Sequence, residues 1–449
     1  MSFTSAPTYA PDIAPSAWRD VYAAATAKGV SVCGDFLAAT TLVLALQSAG
    51  AGGLAVAALL LASTLPLVVL APVAGRLADR VDSRTLLILA GIGQAAVCVA
   101  LALVHQPIVV IALVALLSCG LAVTQPTLSA LIPAMVRRED LPRAGAISQT
   151  AGTVGALVGP ALAGLLVGEF GTRVPLLLDA ASYGALVLAG LVIRTRRGGR
   201  AGVPTAAAGA AGPTAAPVAW SIWRDPLLRA MIVSVAAVVG AIGAINVVAV
   251  FFVRETLAAS ETVYGVVEAA WMAGLLAGAW FCARLARRAR DDAALVGGIL
   301  VLLGGMCLVL PVASVVGTVG WLIPLWVLGG AFNGGENVFA GVVLGNRVPD
   351  GVLGHAFATF GGAIQGASMA GYLAGGLLAD QVPIRPLIAG LGLAGLVVVV
   401  ALAVPVLRVT RRERSGAAAP TAAVDAGWAT YPPAGGAEIR GGGYGGDHG

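Results

Sequence analysis

The chain has 449 residues, of which 58% are hydrophobic and only 11% charged, with a formal net charge of +5. A typical soluble domain carries roughly 25% charged residues, so this composition excludes an ordinary cytosolic enzyme, and its apolarity excludes a largely disordered chain. The basic residues sit in short clusters between long apolar runs, which is a membrane pattern rather than a groove-binding face, so nucleic acid is not an expected partner.

In chain order, residues 1–20 lack the basic start and small-residue cleavage site of a secretory signal and read as an N-terminal cytoplasmic segment. Apolar runs follow at 22–47, 54–73, 85–104, 108–134, 144–168 and 174–194, forming a first group within residues 21–194. The Ala/Gly/Pro-rich, initially basic stretch 195–225 reads as a cytoplasmic linker. A second group within residues 226–408 has runs at 228–253, 262–284, 294–314, 318–346, 353–379 and 386–408. Residues 409–449 have no apolar period and read as a disordered cytoplasmic tail. A bilayer span takes about 20 residues, and in lipid such spans have to be helical. The predicted fold is therefore an all-α membrane protein with twelve transmembrane helices in two six-helix halves.

With the N-terminus inside, about 22 basic residues fall in cytoplasmic segments and only Arg173, Arg254 and Arg385 outside. This asymmetry predicts that both termini are cytoplasmic. The halves repeat weakly: residues 75–87 align with 283–295, and 159–166 with 371–378, at offsets of 208 and 212. Repeated membrane halves are a transporter architecture with the substrate path between them. The basic residues are 26 Arg and one Lys. With the Ala/Gly/Val richness this indicates a GC-rich bacterial source, and so a multi-pass protein of the bacterial cytoplasmic membrane. The five cysteines lie in apolar runs without CxxC or Cys/His spacing, so neither a zinc site nor any other metal site is expected. No phosphate-binding loop or nucleophile elbow occurs, so the chain reads as neither an ATP-driven pump nor an enzyme.

The segment after the second apolar run carries the most specific pattern: Gly75, Leu77, Ala78, Asp79, Arg80 and Arg84. It resembles the loop signature of the major facilitator superfamily, with Asp82 and Ser83 departing from it. Gly155, Gly159, Pro160 and Gly164 in the fifth run resemble that superfamily's antiporter motif, with Ala163 departing. Gly34-Asp35, Leu178-Asp179-Ala-Ala-Ser182-Tyr183, Trp223-Arg-Asp-Pro226 and Arg347-Val-Pro-Asp350 are similar to the branch containing macrolide-efflux proteins and enterobactin exporters. The resemblance implies a drug:proton antiporter working by alternating access. In it, Gly75, Asp79, Arg80 and Arg84 form a cytoplasmic latch, and the first, fourth, seventh and tenth helices line a central cavity. It implies no cofactor beyond the proton gradient. The partners are protons, a small-molecule substrate and the lipid bilayer, and the protein is expected to be a monomer.

Ionisable residues inside a membrane are expensive, and each is a functional candidate. Lys28, Ser31 and Asp35 share one face of the first helix. Desolvation favours the neutral acid at Asp35 and a nearby ammonium favours the carboxylate, a balance suited to proton coupling. Lys28 snorkelling to the interface is the plainer reading. Glu336, with Asn333 and Asn337 at helical spacing, and Glu268, four residues after Tyr264, complete the proton-coupling candidates. By the resemblance, Asp35 and Glu336 face the cavity from opposite halves. Gln125, Thr127, Gln149, Asn246, Gln365 and Tyr372 join Lys28, Asn333 and Asn337 as cavity candidates, with Trp271 and Phe332 as aromatic contacts. Asp179 reads as structural. The function expected is proton-coupled efflux of amphipathic drug-like molecules. A siderophore or secondary-metabolite exporter, and a transport-inactive sensor or scaffold, stay open.

Overall fold

The computed structural model describes residues 16–195 and 221–417. The N-terminal segment before residue 16, most of the expected linker and residues 418–449 of the expected tail lie outside the described residues. Among the described residues, ten helices are long and apolar enough to cross a membrane. They are α1 (Trp18–Ser48), α2 (Gly53–Arg80), α3 (Ser83–Leu103), α4 (Pro107–Met135), α5 (Leu141–Phe170), α6 (Arg173–Val192), α7 (Pro226–Thr256), α8 (Glu261–Ala286), α9 (Asp292–Ser314) and α12 (Ile384–Ala417). Two more long helices, α10 (Val319–Arg347) and α11 (Leu353–Ala379), fall short in apolarity. Their interiors hold Asn333, Glu336 and Asn337, and a run of Gly with Gln365 and Tyr372.

The helices start and stop where local chemistry directs. Asp225, Ser260 and Asp291 accept backbone N–H bonds at the N-termini of α7, α8 and α9. Asp82, which departs from the loop signature, accepts the Arg84 N–H at 3.1 Å and caps α3. Two elements differ from the sequence expectation. The seventh run is not one regular helix: it breaks after Ile242 and ends in a wide turn over Phe252–Thr256. The break falls at Gly243, where a Cβ on the facing Gly371 would lie 2.7 Å from the Gly243 Cα, so α7 and α11 meet backbone to backbone. The last helix continues to Ala417, nine residues past the expected end of the span at 408, carrying Arg408 and Arg411 with it.

Helix pairing repeats along the chain. In the first six helices α1 packs on α5 and α6, α2 on α4, and α3 on α4 and α6. Six helices on, α7 packs on α11 and α12, α8 on α10, and α9 on α10 and α12. The two most extensive pairings between the groups, α5 with α8 and α2 with α11, are also six-helix counterparts, and α7 makes smaller contacts with α1 and α2.

Candidate functional site

The four short motifs flagged above pair up in space. Gly34-Asp35 on α1 meets the Asp179–Tyr183 segment of α6. The Tyr183 hydroxyl donates to Asp35 Oδ1 at 2.5 Å. Asp179 accepts from the Cys98 thiol of α3 and the Ser182 hydroxyl, each at 3.1 Å. A side chain on Gly34 would collide with Asp179 and Ser182, so this position needs glycine for α1 to approach α6. Asp35 is half-buried, while Asp179 and Tyr183 are both 0% exposed. Two carboxylates, a phenol and a thiol thus gather between α1, α3 and α6. The sequence reading selected Asp35 and set Asp179 aside. The signal it missed was the i, i+4 spacing of Asp179 and Tyr183, which puts both on the α6 face toward α1.

The other pair ties the arginine-rich end of the last six helices. Asp225 caps α7 and also accepts from Arg347 Nε of α10 at 2.8 Å. Arg347 lies 3.7 Å from Asp292 at the start of α9, and Asn346 donates to Asp292 at 2.8 Å. Asp225, Asp292 and Arg347 are mostly buried, where hydrogen bonds to charged groups are worth about 1.5–3 kcal/mol. Arg347→Ala is expected to destabilise the protein by about that amount. Thermal unfolding in detergent reads it, and an unchanged midpoint contradicts the assignment.

Glu336 corrects an expectation. It is 2% exposed, and its Oε1 has no hydrogen-bond partner among the described residues. Asn337, by contrast, is exposed and Asn333 half-buried, with the Asn337 amide donating to the Asn333 carbonyl at 2.9 Å. One residue is about 100° of helix, so Glu336 turns into the last six helices when Asn337 faces open space. Glu268 is half-buried and bonded to the Tyr264 hydroxyl one turn before it. Trp271 stacks edge-on with Trp326 at 6.4 Å, and Phe332 covers Gly305, so both aromatics are helix-packing groups. Thr127 is buried and bonds the Val123 carbonyl at 2.7 Å. Asn246 is exposed and bonds the Gly243 carbonyl at 3.0 Å, while Gln125, Gln365 and Tyr372 are half-buried.

Contacts between the two groups of helices gather at one end, away from the arginine clusters. On α5, a Cβ at Gly164 would meet the Gly265 Cα of α8 at 2.9 Å, and Thr262 donates to the Gly164 carbonyl at 3.3 Å. The antiporter-like motif therefore faces two ways. Gly155 and Gly159 lie on the α1 backbone, with Cys33 O 2.7 Å from a Cβ at Gly159, while Pro160 and Gly164 reach α8. On α2, the Gly53 N–H donates to Asp380 Oδ1 at 2.9 Å. Gln47 donates to Glu255 at 3.1 Å beside it. At the arginine-rich end the same helices part. Val73 of α2 is 56% exposed, and Cβ atoms built at Gly75, Gly145, Gly354 and Gly361 would meet nothing within 4 Å. Of the expected latch, Gly75 thus faces open space, Arg80 is exposed, Arg84 is half-buried, and the Asp79 side chain lies outside the described residues.

The Major Facilitator Superfamily model matches residues 24–315 and 230–435. YfiS of Bacillus subtilis (strain 168), an uncharacterized MFS-type transporter, is 27% identical over 155 residues, 34% of this chain and 37% of YfiS. The match thus spans little more than a third of that relative. Among solved structures, a peptide transporter POT is similar at a TM-score of 0.70 and 14% identity, covering 88% of this chain and 95% of its own. The nucleoside transporter NupG gives 0.65 at 12% identity, with 87% and 99% covered. A bacterial homologue of the iron transporter ferroportin in an inward-facing state gives 0.65 at 15%, with 88% and 99% covered. Identities this low carry the fold alone. With the family model matching well over half of its length, this multi-pass membrane protein belongs to the Major Facilitator Superfamily.

Proposed function

We propose that the protein is a proton-coupled exporter of amphipathic small molecules in the bacterial cytoplasmic membrane. All twelve long helices cross the bilayer, both termini are cytoplasmic, and the arginine-rich end faces the cytoplasm. On that reading the described state is open inward and sealed outward. The observation that carries the coupling is the Asp35 carboxylate held in mid-span by Tyr183 beside Asp179. An ionised Asp35 receives a charge-assisted bond from Tyr183, roughly twice as strong as a neutral one, and protonation removes that assistance. The α1–α6 contact therefore loosens and tightens with the proton. Because α1 also lies on Gly155 and Gly159 of α5, the change is passed to the helix that seals against α8. Substrate leaves as the proton enters, and the working unit is a monomer with no cofactor.

Everted membrane vesicles carrying the protein are expected to accumulate ethidium when a proton gradient is imposed. An uncoupler should abolish the accumulation. Uptake that survives the uncoupler overturns the coupling, and gradient-dependent loss of ethidium from the vesicles overturns the direction.

A further inference from the structure

On the open side of the α5–α8 seal lies a cavity of about 250 Å³ between α1, α5 and α8. Lys28 and Val32 of α1, Gln149 and Thr153 of α5, and Met272 and Leu275 of α8 line it. Lys28 is the chain's single lysine. It lies ten residues into α1, roughly 15 Å from that helix's start, and is half-buried. Its stem runs past Gly152, where an added Cβ would sit 3.3 Å from Lys28 Cε.

Two other cations near the ends of the spans, Arg254 and Arg385, are matched. Arg254 pairs with Glu261, and Arg385 donates to the Ser314 and Val316 carbonyls at 2.8 and 2.9 Å. Lys28 has neither an ion pair nor a hydrogen bond among the described residues. Asp35, two turns further along α1, is engaged by Tyr183, and Glu268, one turn before Met272 on α8, by Tyr264. A half-buried ammonium without a counter-charge keeps its three donors free for an incoming anion, and this one faces a cavity at the meeting of both halves. The wall opposite is apolar, and the Gln149 side chain is exposed toward the open cleft.

We infer that this cavity is an anion subsite, taking an apolar molecule that carries one carboxylate or similar negative group. The anion docks on Lys28 with the Gln149 amide as second donor, and the apolar body lies on Met272 and Leu275. This rests on the transport reading and extends its substrate range to anionic amphiphiles, whether free carboxylates or acidic lipids.

The test uses the full chain in phosphatidylcholine nanodiscs, with radiolabelled naphthoate and its uncharged isostere naphthamide. Naphthoate is expected to bind about tenfold tighter or more than naphthamide, as suits a charge-assisted contact. Lys28→Gln should bring the two ligands within about twofold of each other, whereas Lys28→Arg should keep most of the preference. Phosphatidylglycerol added to the nanodiscs separates the two ligand sources. Displacement of naphthoate assigns the site to lipid, and undisturbed binding assigns it to free carboxylates. Equal binding of naphthoate and naphthamide to the unaltered protein overturns the inference without recourse to any variant. So does a preference that survives in Lys28→Gln. Gradient-driven ethidium transport is scored separately in everted vesicles carrying the same variants, so failure of the anion preference and failure of proton coupling are separate results.

Discussion

Asp35→Asn is expected to abolish gradient-driven transport, by at least about tenfold, while leaving the protein folded. The amide has the shape of the acid, and its carbonyl still accepts the Tyr183 hydroxyl, so the α1–α6 contact survives. What is lost is the proton, and with it the alternation between a charge-assisted and an ordinary bond. Downhill exchange of substrate, which needs no net proton movement, should continue. That split between driven accumulation and exchange distinguishes a coupling residue from a packing one, since a packing defect depresses both. Tyr183→Phe should give a partial loss, because it removes the partner and keeps the acid. Undiminished gradient-driven transport in Asp35→Asn removes Asp35 from the mechanism.

The second large effect is steric. Gly265→Val should hold the outer end open. Its Cβ would come 2.8 Å from the Gly164 Cα and 2.9 Å from the Gly164 N, backbone atoms of α5 that cannot step aside as a side chain can. The two helices have to separate, and the Thr262-to-Gly164 bond is lost with the separation. A reporter is available at that bond. Thr262→Cys should be poorly labelled from outside by an impermeant maleimide, and well labelled when Gly265→Val is added. Transport should fall at least about tenfold, since a carrier that cannot seal one face cannot complete its cycle. Equal labelling with and without the valine would falsify the assignment of this crossing as the outer seal.

Much of the fold is readable from the chain because lipid enforces simple rules. Long apolar runs mark ten of the helices outright, and the loop pattern around Gly75–Arg84 identifies the superfamily. The site is less readable, because its partners are far apart in sequence. Asp35 and Tyr183 are 148 residues apart, and Asp225 and Arg347 are 122 apart, so proximity depends on which helices pack. Helical spacing correctly groups Asn333 with Asn337, but it does not say which face looks at the cleft. The sequence groups Glu336 with them, and the fold buries it instead. The break in α7 at Gly243 was hidden for a related reason: its cause is Gly371 on another helix.

The shortfall of apolarity in α10 and α11 bears on how the protein is made. A helix whose interior carries Asn333, Glu336 and Asn337 gains less from entering lipid alone than its neighbours do. Its compensation is backbone-close packing: a Cβ on Gly330 would sit 3.0 Å from the Leu275 N of α8. Likewise α11 is received by α2 and α7. On the proposed twelve-span reading, the receiving helices in each case come earlier in the chain, so during synthesis the docking surface precedes the less apolar helix into the membrane. Chain order thus works as an assembly schedule, and the two helices least able to insert by themselves arrive after the partners that hold them.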